Sequence, residues 1–265
     1  MPHSYFIAKT YTTDRTIMVD DVQHSSEFEW ACKNGNIDTV RRLFEDQHIS
    51  IDSARIKDNY ALRDACTGGH LEVVRYLIET VELNADDARS IDNYALQLAC
   101  QNGHLEVVRY LIETMGLNAD DARSNDNYAL QRACAGGRLE VVRYLVETVG
   151  LNADDARSND NYALQWSCAW GHLEVVRYLI ETVGLTIYDT RSNNNKALMY
   201  ACRHGHLRVV KYLVDELELT RDDTRYIINR FETNERQGVE YSTAIKECVA
   251  LLRCTHPSPK NAACF

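Results

Sequence analysis

No stretch of the sequence runs unbroken through the roughly 18 apolar residues that mark a membrane-spanning helix, so nothing in it predicts a bilayer segment. The opening MPHSYFIAKTYTTDR has neither a basic end nor a continuous apolar run followed by small residues, as an export signal requires. Positive charge is scarce as well: 29 Lys and Arg stand against 39 Asp and Glu, a formal net charge of -10. Polyanion affinity comes from clustered Lys and Arg, so nucleic acid is not an expected partner. There is no phosphate-binding loop, dinucleotide fingerprint or nucleophile elbow. Prolines number only three. A soluble, cytoplasmic protein is expected.

Apolar material is sufficient. Hydrophobic residues make up 45% and charged residues 26%, which excludes a wholly disordered chain. The length of 265 residues suits one or two globular domains or one elongated array. Self-similarity decides between them. Ala31-Cys32, Ala65-Cys66, Ala99-Cys100, Ala133-Cys134, Ser167-Cys168 and Ala201-Cys202 recur at steps of 34 residues. Six units follow, the four most regular being Tyr60 to Asn93, Tyr94 to Asn127, Tyr128 to Asn161 and Tyr162 to Asn195.

Each unit carries two short amphipathic helical patterns. Leu96, Ala99 and Cys100 share one face of the first, and Leu105, Val108, Leu111 and Ile112 one face of the second. A single unit cannot bury both faces, so the units must stack and the chain ends need atypical polar caps. The expected organisation is an N-terminal segment over residues 1–25 with a candidate β-hairpin (YFIAKTY and TIMV), six repeats over 26–229, and degenerate capping helices with a loose tail over 230–265. Helices are expected over Tyr226 to Phe231 and Thr243 to Arg253, with HPSPKNAACF as the tail.

The second helix and its turn read GHLEVVRYL at Gly69 to Leu77, Gly103 to Leu111 and Gly171 to Leu179, GRLEVVRYL at Gly137 to Leu145, and GHLRVVKYL at Gly205 to Leu213. These residues resemble the ankyrin repeats over about Ser26 to Asn229, and the Cys-containing NYAL form is similar to arrays abundant in giant DNA viruses. The resemblance implies an all-α helical repeat solenoid that holds a protein partner in the concave groove formed by the first helices, in the host cytoplasm if the source is viral. Two departures stand out. Tyr-Ala-Leu-Gln replaces the family's Thr-Pro-Leu-His, leaving Asn93, Asn127 or Asn161 as the expected helix cap. Where the family places a β-hairpin finger, the chain has Asn118-Ala-Asp-Asp121, Asn152-Ala-Asp-Asp155, Thr186-Ile-Tyr-Asp189 and Thr220-Arg-Asp-Asp223. An N-cap residue three before a carboxylate resembles a capping box, so short helical turns are expected in place of the fingers.

No constellation carries chemistry, and no catalytic, cofactor-binding or metal-binding residue is assigned. Six of the nine cysteines belong to the repeat and sit on the core face. Stacked helices lie roughly 8–10 Å apart, too far for disulfides or a shared zinc; buried free thiols suit a reducing compartment. His70, His104, His172 and His206 recur once per unit, as expected of a turn-bracing hydrogen bond. His204 with His206 lacks further ligands for a metal. The Asp-Asp pairs are explained by capping.

What remains is a surface. At about 100° per residue, positions 98, 101 and 102 fall about 200°, 140° and 240° from the core residue Leu96, and so point outward. The same positions vary most between units, and all three tryptophans occupy them. The candidate partner-binding residues are Trp30, Asp64, Leu98, Gln101, Asn102, Arg132, Trp166, Trp170, Tyr200, Arg203 and His204. Trp, Tyr and Arg are the residues most often found as interface anchors. Charge also shifts along the chain: Tyr60 to Asn93 has seven acidic and three basic residues, Lys196 to Asn229 five acidic and six basic. The leading function is an adaptor or scaffold for a protein partner, monomeric in solution. The alternative is a structural component that self-assembles through the same aromatic face.

Overall fold

The structure, a computed structural model, describes residues 24–46, 48–217 and 219–255. The candidate β-hairpin in the first 23 residues and the tail from residue 256 lie outside the described residues. Every regular element among the described residues is a helix. The helices group into two compact units that divide between Asp121 and Ala122. The first holds α1 (residues 24–34), α2 (Ile37–Glu45), α3 (Ile51–Gly68), α4 (Leu71–Glu79), α5 (Ala85–Ala88), α6 (Ser90–Asn102) and α7 (Leu105–Glu113). The boundary falls within α8 (Ala119–Ala135). The second unit continues with α9 (Leu139–Glu147), α10 (Ala153–Ala169), α11 (Leu173–Glu181), α12 (Ile187–Arg203), α13 (Leu207–Glu216), α14 (Arg221–Arg236) and α15 (Thr243–Thr255).

The two-helix pattern of each repeat is realised as the periodicity requires. In α11, Val175, Val176, Tyr178 and Leu179 are buried, while Glu174 and Arg177 face water. In α10 and α12, Leu164, Cys168, Leu198, Ala201 and Cys202 are fully buried. Small Ala and Cys side chains allow this close approach of one first helix to the next. The turn between the helices uses Gly171 at φ +75°, where an added Cβ would meet His206 Nδ1 at 2.5 Å. Glycine there meets both a backbone and a space requirement.

Among the described residues the connections between repeats hold short helical turns and no β-finger. Asn152 accepts from the amides of Asp154 and Asp155 while Asp155 Oδ2 accepts from the Asn152 amide at 2.9 Å, a complete capping box. Asn84 with Asp87 and Asn118 with Asp121 repeat it. At Thr186 and Thr220 the amide and hydroxyl both donate to the carboxylate of Asp189 or Asp223.

After that turn the backbone does something the periodicity did not announce. Ser158 swings to an extended conformation, and Asn159, Asp160 and Asn161 then occupy the left-handed region with φ of 51°, 58° and 66°. Asn125 to Asn127 and Asn193 to Asn195 do the same. Left-handed residues normally occur singly, and Asn and Asp tolerate them best because their short polar side chains bond locally. Each of α8, α10 and α12 is thus two right-handed segments joined by one left-handed turn. The turn is braced from below: Gln131 Nε2 donates to Asp126 O at 2.6 Å and Gln165 Nε2 to Asp160 O at 2.5 Å. In the first unit Gln97 does so to Asp92 O at 2.6 Å.

This overturns the capping role expected of Asn93, Asn127 and Asn161. All three sit in the left-handed turn, whereas an N-cap residue is extended. The Oδ1 atoms of Asn127 and Asn161 accept no hydrogen bond among the described residues. The side chain of Asn93 instead bonds the carboxylate of Asp121. The glutamine that stands where the family has histidine takes over as the local brace.

The pattern changes at α14, where Tyr226-Ile227-Ile228-Asn229 replaces the Ser-Asn-Asn-Asn of the preceding unit. β-branched residues are genuine outliers in the left-handed region, and α14 runs on as one right-handed helix. In α15, Ala244 packs its Cβ against Gly205, the place a histidine takes in earlier units. Cys248 and Leu252 of the same helix are fully buried.

Candidate functional site

In the first unit, the outward positions of α1, α3 and α6 carry Trp30, Asp64, Leu98, Gln101 and Asn102. Trp30 is 56% exposed. Asp64, Leu98, Gln101 and Asn102 are half-buried. Burial raises the Asp64 carboxyl above its usual value, and Lys33 and Arg63 act against that rise. Asn102 turns its amide back to Leu98 O at 3.0 Å.

The second unit concentrates the aromatics. Trp166 is 39% exposed and Trp170 59%, on a helix whose opposite face is fully buried. Trp166 meets Tyr162 edge to face at 6.2 Å. Lys196 Nζ lies 5.6 Å from the centres of both the Tyr162 and Tyr200 rings, a cation held between two aromatic faces. Arg132 stands 4.5 Å over the Tyr128 ring. Arg203 and His204 are exposed at the end of α12, and His204 stacks on His206 at 6.3 Å. Desolvation, then His206 and Arg203, lower the His204 pKa. One outward position departs from the wheel: Ala169 is buried. It lies about 140° from the core line, and its carbonyl accepts from the next unit's histidine, so that flank is covered.

Beside Arg203 lies a cavity of about 210 Å³ lined by Met199, Arg203, Arg230, Phe231, Asn234, Val239 and Tyr241. Gly238 at φ +85° ends α14, and Val239 N returns to Asn234 O at 3.0 Å. That closure brings Val239 and Tyr241 against the helix. Phe231 meets Tyr241 edge to face at 5.0 Å, and Asn234 Nδ2 donates to the Tyr241 hydroxyl at 2.8 Å. Nothing in the repeat pattern signals this cavity, because only Met199 and Arg203 belong to a repeat and its other walls, from Arg230 to Tyr241, follow the point where the pattern dissolves. Tyr162 and Lys196 were missed for another reason: they open the right-handed segments that follow the left-handed turns, off the wheel positions that vary.

The remaining recurrent polar residues are latches between neighbouring repeats. His172 Nε2 bonds Ala135 O at 2.9 Å and His206 Nε2 bonds Ala169 O at 2.9 Å, each reaching the preceding unit, as do His70 to Lys33 O and His104 to Thr67 O. The buried Asp of each helical turn receives an arginine from 32 residues upstream. The pairs are Arg55–Asp87 and Arg89–Asp121 in the first unit, and Arg123–Asp155, Arg157–Asp189 and Arg191–Asp223 in the second. Arg191 donates twice, at 2.7 and 2.8 Å, and with Thr220 holds the Asp223 carboxyl down at about 2. Tyr178 donates to Glu147 at 2.9 Å, and burial and that bond push its phenol up to about 12. The six repeat cysteines are buried free thiols, with Cys134 raised to about 12 by desolvation. Among the described residues no His, Cys, Asp and Glu group could hold a metal ion, and no helix is long and apolar enough to cross a membrane.

Three copies of a family model described as ankyrin repeats match the chain, at residues 28–121, 81–155 and 149–223. No curated protein matches the sequence.

Proposed function

Because the chain belongs to the ankyrin-repeat family, whose repeats are in general non-catalytic modules of protein–protein interaction, we propose that it is a cytoplasmic adaptor or scaffold that binds a protein partner on the outward face of its first helices. Trp30, Asp64, Leu98, Gln101 and Asn102 contribute to that face in the first unit, and Arg132, Trp166, Trp170, Tyr200, Arg203 and His204 in the second. The observation that carries the reading is the exposure of Trp166 and Trp170, 39% and 59%, on a helix whose Leu164 and Cys168 are fully buried. An apolar ring left in water gains most when a partner covers it.

The test is the triple variant Trp166→Ala, Trp170→Ala, Tyr200→Ala. Its far-UV circular dichroism and thermal midpoint are expected to stay close to those of the intact protein. Partners captured by the intact chain and identified by mass spectrometry are expected to be lost, since central anchors commonly contribute about 2 kcal/mol or more each. Unfolding of the variant would place these aromatics in the core. Undiminished capture by a folded variant would move the site elsewhere. The same exposed aromatics suit a second copy of the chain, and sedimentation across concentration separates the two readings: a mass that rises with concentration and reverts in the variant supports self-assembly.

A further inference from the structure

The cavity beside Arg203 has a chemistry of its own. Its lining includes the apolar Met199, Phe231 and Val239 and two guanidinium groups, Arg203 and Arg230, with no carboxylate among the lining residues. Arg203 and Lys196 make no ion pair among the described residues, and Arg230 bonds only the neutral hydroxyl of Tyr226 at 3.2 Å. Arg191, on the same helix as Arg203, is paired with Asp223, and Arg236, on the same helix as Arg230, with Glu232. In a chain of net charge -10, two guanidinium groups without a carboxylate partner line one largely apolar recess. Val239 stays 45% exposed at that recess, although it is large and apolar. A space of about 150 Å³ suffices for a benzene ring, so about 210 Å³ accommodates one large side chain.

We propose that this cavity is the specificity pocket of the aromatic face and takes an acidic peptide segment. One bulky apolar side chain enters between Met199, Phe231 and Val239, and flanking carboxylates pair with Arg203 and Arg230. The inference rests on the interaction reading above and adds the partner's chemistry to it. Guanidinium groups pair carboxylates with two donors at once, which fixes a peptide's register as well as adding affinity. Lys196, shared by Tyr162 and Tyr200, extends positive charge along the same helix.

The probes are two capped, fluorescein-labelled heptapeptides, Gly-Ser-Glu-Phe-Glu-Ser-Gly and Gly-Ser-Lys-Phe-Lys-Ser-Gly, titrated by fluorescence anisotropy with the full chain, with arginine side-chain NMR signals locating the site. The acidic peptide is expected to bind at least about tenfold more tightly than the basic one, to weaken with added salt, and to shift the Arg203 and Arg230 signals. Arg203→Gln with Arg230→Gln is expected to abolish the preference while circular dichroism is unchanged; Arg208→Gln, on α13, is expected to leave it intact. Equal binding of the two peptides, absence of binding by either, or a preference that survives the double variant overturns the proposal. None of these outcomes touches the triple-aromatic test, so a chain that captures partners through Trp166 and Trp170 but ignores the acidic probe keeps the interaction role and loses only the pocket assignment.

Discussion

Ile91 holds φ 48° and ψ 59°, at a place where later repeats have Asn125, Asn159 and Asn193. A β-branched side chain is strained there, and it is 48% exposed, so it gains no burial in return. Ile91→Asn is therefore expected to stabilise the protein by about 1 kcal/mol, read as a higher midpoint in urea denaturation. A drop in stability would mean that the exposed isoleucine packs in a way its surroundings do not suggest. The same residue scale shows where sequence reasoning reached its limit. Asn127 and Asn161 were legible as special, but an asparagine serves an N-cap and a left-handed turn equally well, and only the backbone distinguishes them. The outward placement of Trp166 and Trp170 was legible from helical geometry, because a regular helix leaves little choice. The burial of Ala169 was not, since it depends on a histidine carried by the next unit.

The helical turns that replace β-fingers are the elements most fully forecast by their own residues. Capping boxes are local, spanning four residues, so their signal survives in the sequence. Replacing Asn152 by Ala is expected to cost about 1 kcal/mol, because two amides lose their acceptor; thermal unfolding would check it. The arginine latches were invisible by contrast. Arg191 and Asp223 are 32 residues apart, and the carboxylates were already accounted for as caps. Their effect appears in acid. A carboxylate held at about 2 in the fold, against about 3.9 unfolded, stabilises fully above the unfolded value and loses that contribution as pH falls from about 4 to about 2. Asp87, Asp121 and Asp189 are lowered in the same direction, with burial opposing their arginine and backbone partners. Arg191→Gln removes the largest cause of the Asp223 shift. The stability gap between variant and intact protein is therefore expected to be open at pH 6 and to close near pH 2, and urea titrations at both values decide it. A gap that does not change with pH would show that Arg191 acts through packing alone.

At the scale of the whole molecule, the period of 34 was enough to identify the all-α repeat class, because every unit repeats the same buried face. It could not foretell the cavity at Arg203, most of whose walls lie beyond Asn229, where the period ends. The buried faces also set the chemistry of the thiols. Cys32, Cys66, Cys100, Cys134, Cys168 and Cys202 are buried and Cys254 is exposed, while Cys264 lies outside the described residues. A water-soluble thiol reagent is expected to label Cys254 within the mixing time and the six repeat cysteines only on unfolding. Fast labelling of Cys168 in the native protein would contradict the packing. Leu164→Ala, fully buried beside Cys168 in α10, is expected to cost about 2–5 kcal/mol, the opposite outcome to the exposed tryptophans of the same helix. The latches carry a last implication. Within the second unit, arginine reaches aspartate at a constant interval of 32 residues, histidine reaches carbonyl at 37 and tyrosine reaches glutamate at 31. A segment such as Tyr162 to Asn195 therefore carries both halves of every seam it needs, like a tile cut to match its own copy. In-frame duplication or loss of one tile keeps these three kinds of seam paired at the join, so recombination can lengthen or shorten this protein, and with it the set of outward side chains, while the latches between neighbours are preserved.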